Sequence, residues 1–149
     1  MEATTLLSIL PVNSAEWIFQ LTLHMNTLTN SWCNIMRVTN TDSVVAALGF
    51  RVPSINVYND VLQFMNSVNG NPTQEDDYRG LTWNTTYNIE IHQRYKSAGV
   101  YRYHVIVNGE KVLSMDNHQA YQYYNVKIWV SDPNPCDAKI SNFKFTHFL

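Results

Sequence analysis

The sequence has little charge, only two cysteines and no long apolar run, and each shortage excludes a class of protein. Charged residues make up 15% of the 149 residues and hydrophobic residues 45%, which is too little charge for a disordered chain. The ten basic residues are scattered and the net charge is −2, whereas a nucleic-acid binder concentrates positive charge on one face. We therefore expect no nucleic-acid partner. No stretch approaches the roughly 18 apolar residues of a membrane span, so we expect no direct membrane insertion.

The sequence is rich instead in aromatic residues, at 13%, and in period-two alternation, both of which favour β-strands. From Glu16 to Met25, apolar side chains occupy every second position, with Ile18 as the apolar exception on the other face. This pattern indicates a half-buried strand. The same alternation recurs over residues 86–95, 100–107, 123–130 and 138–148, and shorter strands are predicted at 4–10, 32–39, 54–58 and 61–68.

Turn signals separate these strands. Asn108-Gly109 lies between two alternating runs and predicts a tight hairpin, because both central residues of a type I′ turn must tolerate positive φ. We interpret residues 68–80 as containing a long polar loop and residues 44–48 as a short helical turn. About ten short strands without a long helix predict an all-β, two-sheet antiparallel β-sandwich (jelly roll) with about ten or more strands. Residues 1–149 are assigned to a single domain.

Several stretches resemble the concanavalin A-like superfamily, which includes laminin G-like, pentraxin-like and galectin-like domains. Residues 82–93 and 101–110 show a strand after a tryptophan and then a hairpin that ends in V-x-V-N-G-E. Residues 32–39 (WCNIMRVT), 49–55 (GFRVPSI) and 124–133 (YNVKIWVSDP) resemble runs of extracellular lectin-like domains. The resemblance implies a jelly roll with one concave and one convex sheet, and an extracellular or cell-surface location. The first residues lack the basic segment of a signal peptide, so secretion would require a longer precursor.

Two positions depart from the superfamily pattern. Phe50 occupies the position of an acidic residue in a turn, which weakens a calcium role there, and Asn134 replaces an aromatic residue. We expect no cofactor, with calcium as the alternative, because several aspartates lie near predicted turns and could converge. These are Asp42, Asp60, Asp76, Asp77, Asp116 and Asp132.

Aromatic side chains on the polar faces of predicted strands indicate a ligand-binding site. Tyr58, Tyr123 and Trp129 lie opposite the main apolar face of their strands, where a ring can stack on a sugar. The groups that would bond the sugar hydroxyls belong to Arg51, Asn56 and Asn125. The alternative is that these rings pack inside the sandwich or form a self-association surface.

The sequence shows no arrangement of catalytic or metal-binding residues. A glycoside hydrolase on this fold needs two carboxylates that face one bond, whereas Glu90 is alone on its strand and Glu75 and Asp76 are adjacent. The five histidines lack the close spacing of zinc ligands, and no nucleophile motif or phosphate loop occurs. We therefore expect no enzymatic activity, no catalytic residue and no metal site.

Two covalent features depend on the compartment. Asn84 opens an N-x-T sequon, which would be glycosylated in a secreted eukaryotic protein. Cys33 and Cys136 either form a disulfide or remain two thiols, because their spacing does not distinguish the two states.

The sequence as a whole predicts a non-catalytic binding module that recognises a glycan or glycoprotein in the manner of a lectin. The alternative is a structural or protein–protein interaction domain of a larger assembly, without a sugar site. A homo-oligomer is compatible with either function.

Overall fold

The computed structural model of the protein describes residues 5–41, 50–131 and 134–149. All the regular structure in these residues is β-strand, which confirms the predicted fold class. The predicted helical turn at 44–48 lies outside the described residues, and no described helix is long and apolar enough to cross a membrane. The strands are β1 (Thr5–Asn13), β2 (Trp17–Met25), β3 (Cys33–Thr39), β4 (Arg51–Tyr58), β5 (Val61–Val68), β6 (Asn71–Arg79), β7 (Thr85–Ser97), β8 (Val100–Val107), β9 (Glu110–Asn117), β10 (Tyr123–Val130) and β11 (Ala138–His147).

The strands form two antiparallel sheets that pack face to face. The order of the six-stranded sheet is β1-β10-β3-β4-β5-β6, and that of the five-stranded sheet is β11-β2-β7-β8-β9. Strands distant in sequence pair within each sheet: β10 lies between β1 and β3, and β11 pairs with β2. These crossovers between the two ends of the chain produce the predicted jelly-roll sandwich.

Alternation in the sequence becomes alternation of burial. In β2, every second side chain from Trp17 to Met25 is buried, and those between them are partly exposed. Trp17 is fully buried and stacks on Phe145 of β11, with ring centroids 5.9 Å apart. Burial of a side chain of this size contributes on the order of 2–3 kcal/mol, so the inward rows of both sheets provide the main stabilisation of the fold.

The β8–β9 hairpin confirms the prediction from Asn108-Gly109. Val107 pairs with Glu110, and the two residues between them have φ of 51° and 80°. The Asn108 side chain also accepts a hydrogen bond from the Asn88 amide at 2.8 Å. The turn is thereby fixed to β7 as well as to its own hairpin.

The prediction of a polar loop at residues 68–80 is wrong for most of its length, because residues 71–79 form β6. This strand is the edge of the six-stranded sheet and pairs with β5 alone. Most of its side chains are polar, and Tyr78 is the β6 side chain packed against the core. An edge strand needs few apolar side chains, so β6 shows no hydrophobic alternation in the sequence.

A disulfide joins Cys33 and Cys136, the pairing that the sequence left open. Cys33 begins β3 of the six-stranded sheet, and Cys136 lies just before β11 of the five-stranded sheet. Both residues are buried in the core. The bond therefore links the two sheets at one end of the sandwich.

Candidate functional site

The outer face of the six-stranded sheet, which points away from the core, is the candidate binding surface. In a two-layer sandwich this face ordinarily meets solvent, yet β3 and most of β4 are buried on both of their faces. The core-facing positions of β3 and β4 include Val38 and Ile55. The outward positions are polar, and each is at most 7% exposed: Asn34, Arg37, Thr39, Arg51, Ser54 and Asn56. We call these six residues the polar centre.

Strand pairing aligns the polar centre in rows that cross the sheet. The central row is Leu6, Trp129, Arg37, Ser54, Met65 and Glu75. The rows beside it are Asn34, Asn56, Gln63 and Asp77 on one side, and Ile9, Lys127, Thr39 and Arg51 on the other. Tyr58 pairs with Val61 at the end of the β4–β5 hairpin and is 46% exposed. Four of the six predicted ligand-binding residues therefore share this face: Arg51, Asn56, Tyr58 and Trp129.

The other two predicted residues lie near the start of β10. The Tyr123 hydroxyl donates to Ser67 Oγ at 3.3 Å, and its ring lies 5.4 Å from that of Phe50. Burial raises the pKa of Tyr123, and a hydrogen bond from its hydroxyl to Ser67 opposes the shift. Asn125 is exposed and has φ of 51°. Tyr123 thus packs against Phe50 and bonds to Ser67, and its part in ligand binding stays a prediction.

Arg51 is the chemically distinctive member of the polar centre. It is 7% exposed and makes no hydrogen bond or ion pair within the described part of the chain. Burial lowers the pKa of its guanidinium, the nearby Arg37 charge lowers it further, and Glu75 raises it. The face therefore holds a largely desolvated positive charge near its centre.

Side-chain amides extend the polar surface from the centre towards β6. Asn34 Nδ2 donates to Asn56 Oδ1 at 2.7 Å and to the Ile55 carbonyl at 3.3 Å. Gln63 Nε2 donates to Glu75 Oε1 at 2.9 Å. These contacts hold the amides in fixed orientations, as a site for a hydroxylated ligand requires.

Glu75 and Asp77 also lie on this face. Their sequence context predicted a loop, so they were not expected here. Their Cα partners on β5 are Met65 and Gln63, both outward positions. Both carboxylates are exposed, and Asp77 also pairs with Arg79 at 3.0 Å. The face therefore carries two acidic groups on its edge strand and a basic centre.

The outer face of the five-stranded sheet carries a second group of ionisable residues. His92 and His104 are cross-strand partners with ring centroids 4.6 Å apart, and His92 Nε2 donates to Glu90 Oε2 at 3.0 Å. Burial lowers the pKa of His104 to about 4, and the neighbouring His92, Lys111, Arg102 and Arg94 lower it further. His104 is therefore neutral near pH 7.

A small cavity of about 230 Å³ lies nearby on the five-stranded sheet. Its lining includes the polar side chains of Gln20, Thr22, Asn88, Glu90, Asn142 and Lys144. Thr22 and Asn88 bond each other, and Asn142 donates to Thr22. Three of the six polar groups of this cavity, those of Thr22, Asn88 and Asn142, are therefore already engaged with one another.

The residues described contain no group of three or more histidine, cysteine or acidic side chains able to hold a metal ion. Of the calcium candidates, Asp116 is engaged by Lys96 and Arg102, whereas Asp42 and Asp132 lie outside the described residues. Calcium binding stays a prediction. Asn84 is exposed in the turn before β7, with φ of 53°, so the sequon is accessible.

Comparisons with known proteins place the fold. No protein-family model matches the sequence, and no curated protein matches it either. A pentraxin from Limulus polyphemus superposes with a TM-score of 0.63 at 11% identity, covering 95% of this chain and 68% of the pentraxin. A sheep galectin in complex with glycerol superposes with a TM-score of 0.56 at 8% identity. The match covers 98% of this chain and 99% of the galectin.

A family 7 alginate lyase in complex with its product gives a TM-score of 0.59 at 13% identity. The match covers 91% of this chain but 63% of the lyase, so the chain spans less than two thirds of that enzyme. At these identities the likeness concerns the fold alone. The chain shares the two-sheet jelly-roll fold of these proteins, in agreement with the fold that the resemblance in the sequence implies.

Proposed function

We propose that the protein is a non-catalytic binding module that recognises a glycan or glycoprotein on the outer face of the six-stranded sheet. The observation that carries the proposal is the polar centre, where guanidinium, amide and hydroxyl groups lie on the side of the sheet facing away from the core. Such groups are costly to bury unless they are paired. A ligand rich in hydroxyl groups would supply a partner for the Arg51 guanidinium and for the exposed side chains of Tyr58 and Glu75 on the same face.

Aromatic side chains beside the polar centre support a sugar ligand. Trp129 is the Cα partner of Arg37, and Tyr58 lies two residues beyond Asn56 on β4. A ring next to hydrogen-bonding groups suits a sugar, which has apolar faces and polar edges. The galectin and pentraxin neighbours are compatible with this function.

The alginate lyase neighbours make an enzyme the second candidate, and the carboxylates of Glu75 and Asp77 on one face give it a specific site. A glycoside hydrolase requires one carboxyl group that stays protonated at neutral pH, which burial usually achieves. Glu75 and Asp77 are instead exposed on an edge strand and bonded to Gln63 and Arg79. We therefore favour binding without catalysis.

A matched pair of tyrosine variants tests the proposed surface. Tyr58→Ala removes a ring that is 46% exposed on the proposed face, and Tyr95→Ala removes one that is 54% exposed on the five-stranded sheet. After a glycan array identifies a ligand, titration calorimetry should show about ten-fold weaker binding for Tyr58→Ala, since ring stacking contributes on the order of 1 kcal/mol. Tyr95→Ala should bind as the wild type does. No glycan binding at high protein concentration, or equal losses in both variants, would contradict the proposal.

A protein-interaction role is the alternative, and strand β1 carries the observation for it. Leu6, Leu7 and Ile9 are 41%, 51% and 50% exposed on this edge strand. Exposed apolar side chains on an unpaired edge favour association with another chain. Sedimentation velocity tests this: dimers that dissociate when Ile9 is replaced by Asp support a homo-oligomer, and a monomer at all concentrations opposes it.

The compartment we propose is extracellular or cell-surface. A disulfide with both sulfurs buried in the core is typical of proteins that fold in an oxidising compartment. The accessible sequon at Asn84 is consistent with the same environment. A shift in mass after glycosidase treatment of the secreted protein would support the assignment, and an unmodified reduced chain in the cytosol would oppose it.

A further inference from the structure

Arg51 presents an electrostatic problem that the described residues do not solve. Its guanidinium is largely removed from water and has no hydrogen-bonded or ionic partner within the described residues. An isolated buried charge is strongly unfavourable unless it is paired. The nearby Arg37 charge adds repulsion at Arg51.

The available carboxylates do not neutralise this charge. Glu75 is the acidic group whose field acts on Arg51, yet no ion pair joins the two side chains. Glu75 is exposed and accepts a hydrogen bond from Gln63, and Asp77 pairs with Arg79 at the edge of the sheet. The positive centre thus remains separated from the negative edge.

We propose that the ligand of this face is an anionic saccharide, whose carboxylate or sulfate group pairs with the Arg51 guanidinium. This inference rests on the proposed function and specifies its ligand class. The planar guanidinium donates two parallel hydrogen bonds to such an anion. Because Arg51 is already desolvated in the free protein, the protein incurs little further desolvation cost when the anion binds.

The surroundings of Arg51 favour a saccharide over an acidic peptide. The side chains around Arg51 on this face are polar and uncharged at Thr39 and Ser54, and the exposed Tyr58 ring on the same face suits the apolar face of a sugar. The backbone groups of the inner strands are used in pairing with their neighbours. The hydrogen-bonding groups that this face offers therefore belong to side chains. A peptide added to a sheet instead bonds to backbone groups at a strand edge.

Polymers that differ in charge alone test the proposal by titration calorimetry. Polygalacturonate is compared with its methyl ester, chondroitin sulfate with unsulfated chondroitin, and polyglutamate serves as an acidic peptide. The wild type should bind at least one anionic polymer about ten-fold or more tightly than its less charged counterpart, since hydrogen bonds to charged groups are the strong ones. Comparison of polygalacturonate with chondroitin sulfate identifies whether a carboxylate or a sulfate group is preferred.

Arg51→Gln should remove this preference, while Arg94→Gln is the matched control. Arg94 lies on the five-stranded sheet and pairs with Glu16 at 2.8 Å, so its loss should leave the affinity within about two-fold. Arg51→Lys keeps the charge without the planar fork and should bind with intermediate affinity. Added salt should weaken wild-type binding more than binding to Arg51→Gln.

Each outcome has a defined meaning. Equal affinity of the wild type for polygalacturonate and its methyl ester, and for the two forms of chondroitin, overturns the anionic ligand and leaves the proposed binding face intact. Failure to bind any of these polymers overturns the anionic ligand, and the glycan array decides the proposed binding function separately. Polyglutamate bound as tightly as the best saccharide overturns the saccharide class in favour of an acidic protein. Circular dichroism checks the fold of Arg51→Gln, and if that variant is unfolded, Arg51→Lys and the salt dependence decide the question.

Discussion

Loss of the Cys33–Cys136 disulfide should strongly destabilise the protein. The bond spans a sequence separation of 103 residues. Closure of a loop of this size lowers the conformational entropy of the unfolded chain, which raises the free energy of unfolding by about 4.7 kcal/mol. Both cysteines are 3% exposed, so replacement by alanine leaves small gaps and preserves the packing of apolar neighbours. We expect the double variant Cys33→Ala/Cys136→Ala to lose about 3–5 kcal/mol in unfolding free energy. The corresponding fall in melting temperature is roughly 10–20 °C.

Urea denaturation followed by tryptophan fluorescence measures this loss, with and without a reductant. The reductant should destabilise the wild type by a similar amount once the bond is reduced, and it should leave the double variant unchanged. Intact mass under non-reducing conditions verifies the bond in the starting material. A loss below about 1 kcal/mol in a verified disulfide-bonded protein would refute the argument from loop closure.

Three further variants test local features. Asn117→Ala should cost about 2–4 kcal/mol, because the buried side chain of Asn117 donates to Ser67 O and Gln93 Oε1 and accepts from two backbone amides. Gly109→Ala should cost about 1 kcal/mol, because φ is 80° there although the added methyl group has open space. His104→Gln should lose less stability than the wild type between pH 6.5 and 4, by roughly 1 kcal/mol after allowance for solvent screening.

The sign of the pH effect follows from the proton balance. The pKa of His104 is lowered to about 4 in the folded protein, so the unfolded chain binds the proton first as the pH falls below about 6.5. The stability that a neutral His104 provides is therefore complete above that pH and is lost on the way to pH 4. Denaturation curves at several pH values measure it, and parallel losses in wild type and variant would contradict the assignment.

Control variants separate the specific effects of Asn117→Ala and Gly109→Ala from a general loss of stability. Ser114 lies on the same strand as Asn117 and is exposed, so Ser114→Ala should change stability little. Gly109→Asn keeps a residue that tolerates positive φ and should recover part of the loss seen with alanine. An Asn117→Ala variant as stable as the wild type would show that its four hydrogen bonds are replaced by water.

Local patterns in the sequence predicted most of the fold, because each inward row of a strand leaves a period-two signature. Strand β2 and the hairpin at Asn108-Gly109 were predicted on these grounds. Strand β6 could not be predicted this way, since an edge strand with both faces largely in solvent has no apolar alternation. The disulfide also depends on topology: nothing in the spacing of Cys33 and Cys136 indicates that β3 lies beside the segment before β11.

The binding face could be predicted only in part. Trp129 and Tyr58 were predicted from their positions opposite the apolar faces of their strands, and Arg51 and Asn56 as polar groups able to bond sugar hydroxyls. Arg37 was missed because the β3–β4 register shifts between Asn34 and Met36 and again between Arg37 and Thr39. The first shift inserts an extra residue in β3 and the second inserts one in β4, so inward and outward positions cannot be assigned by counting along either strand.

The direction of the polar rows has a consequence for how a polymer would be held. The central row begins on β1 and ends on β6, the two edge strands of the sheet. Six strands spaced about 4.8 Å apart give a track of roughly 24 Å, open at both ends in the described chain. A long ligand can lie across this track with both of its termini elsewhere. Several copies of the protein could then bind along one polymer chain, and the apparent affinity would rise with polymer length through avidity.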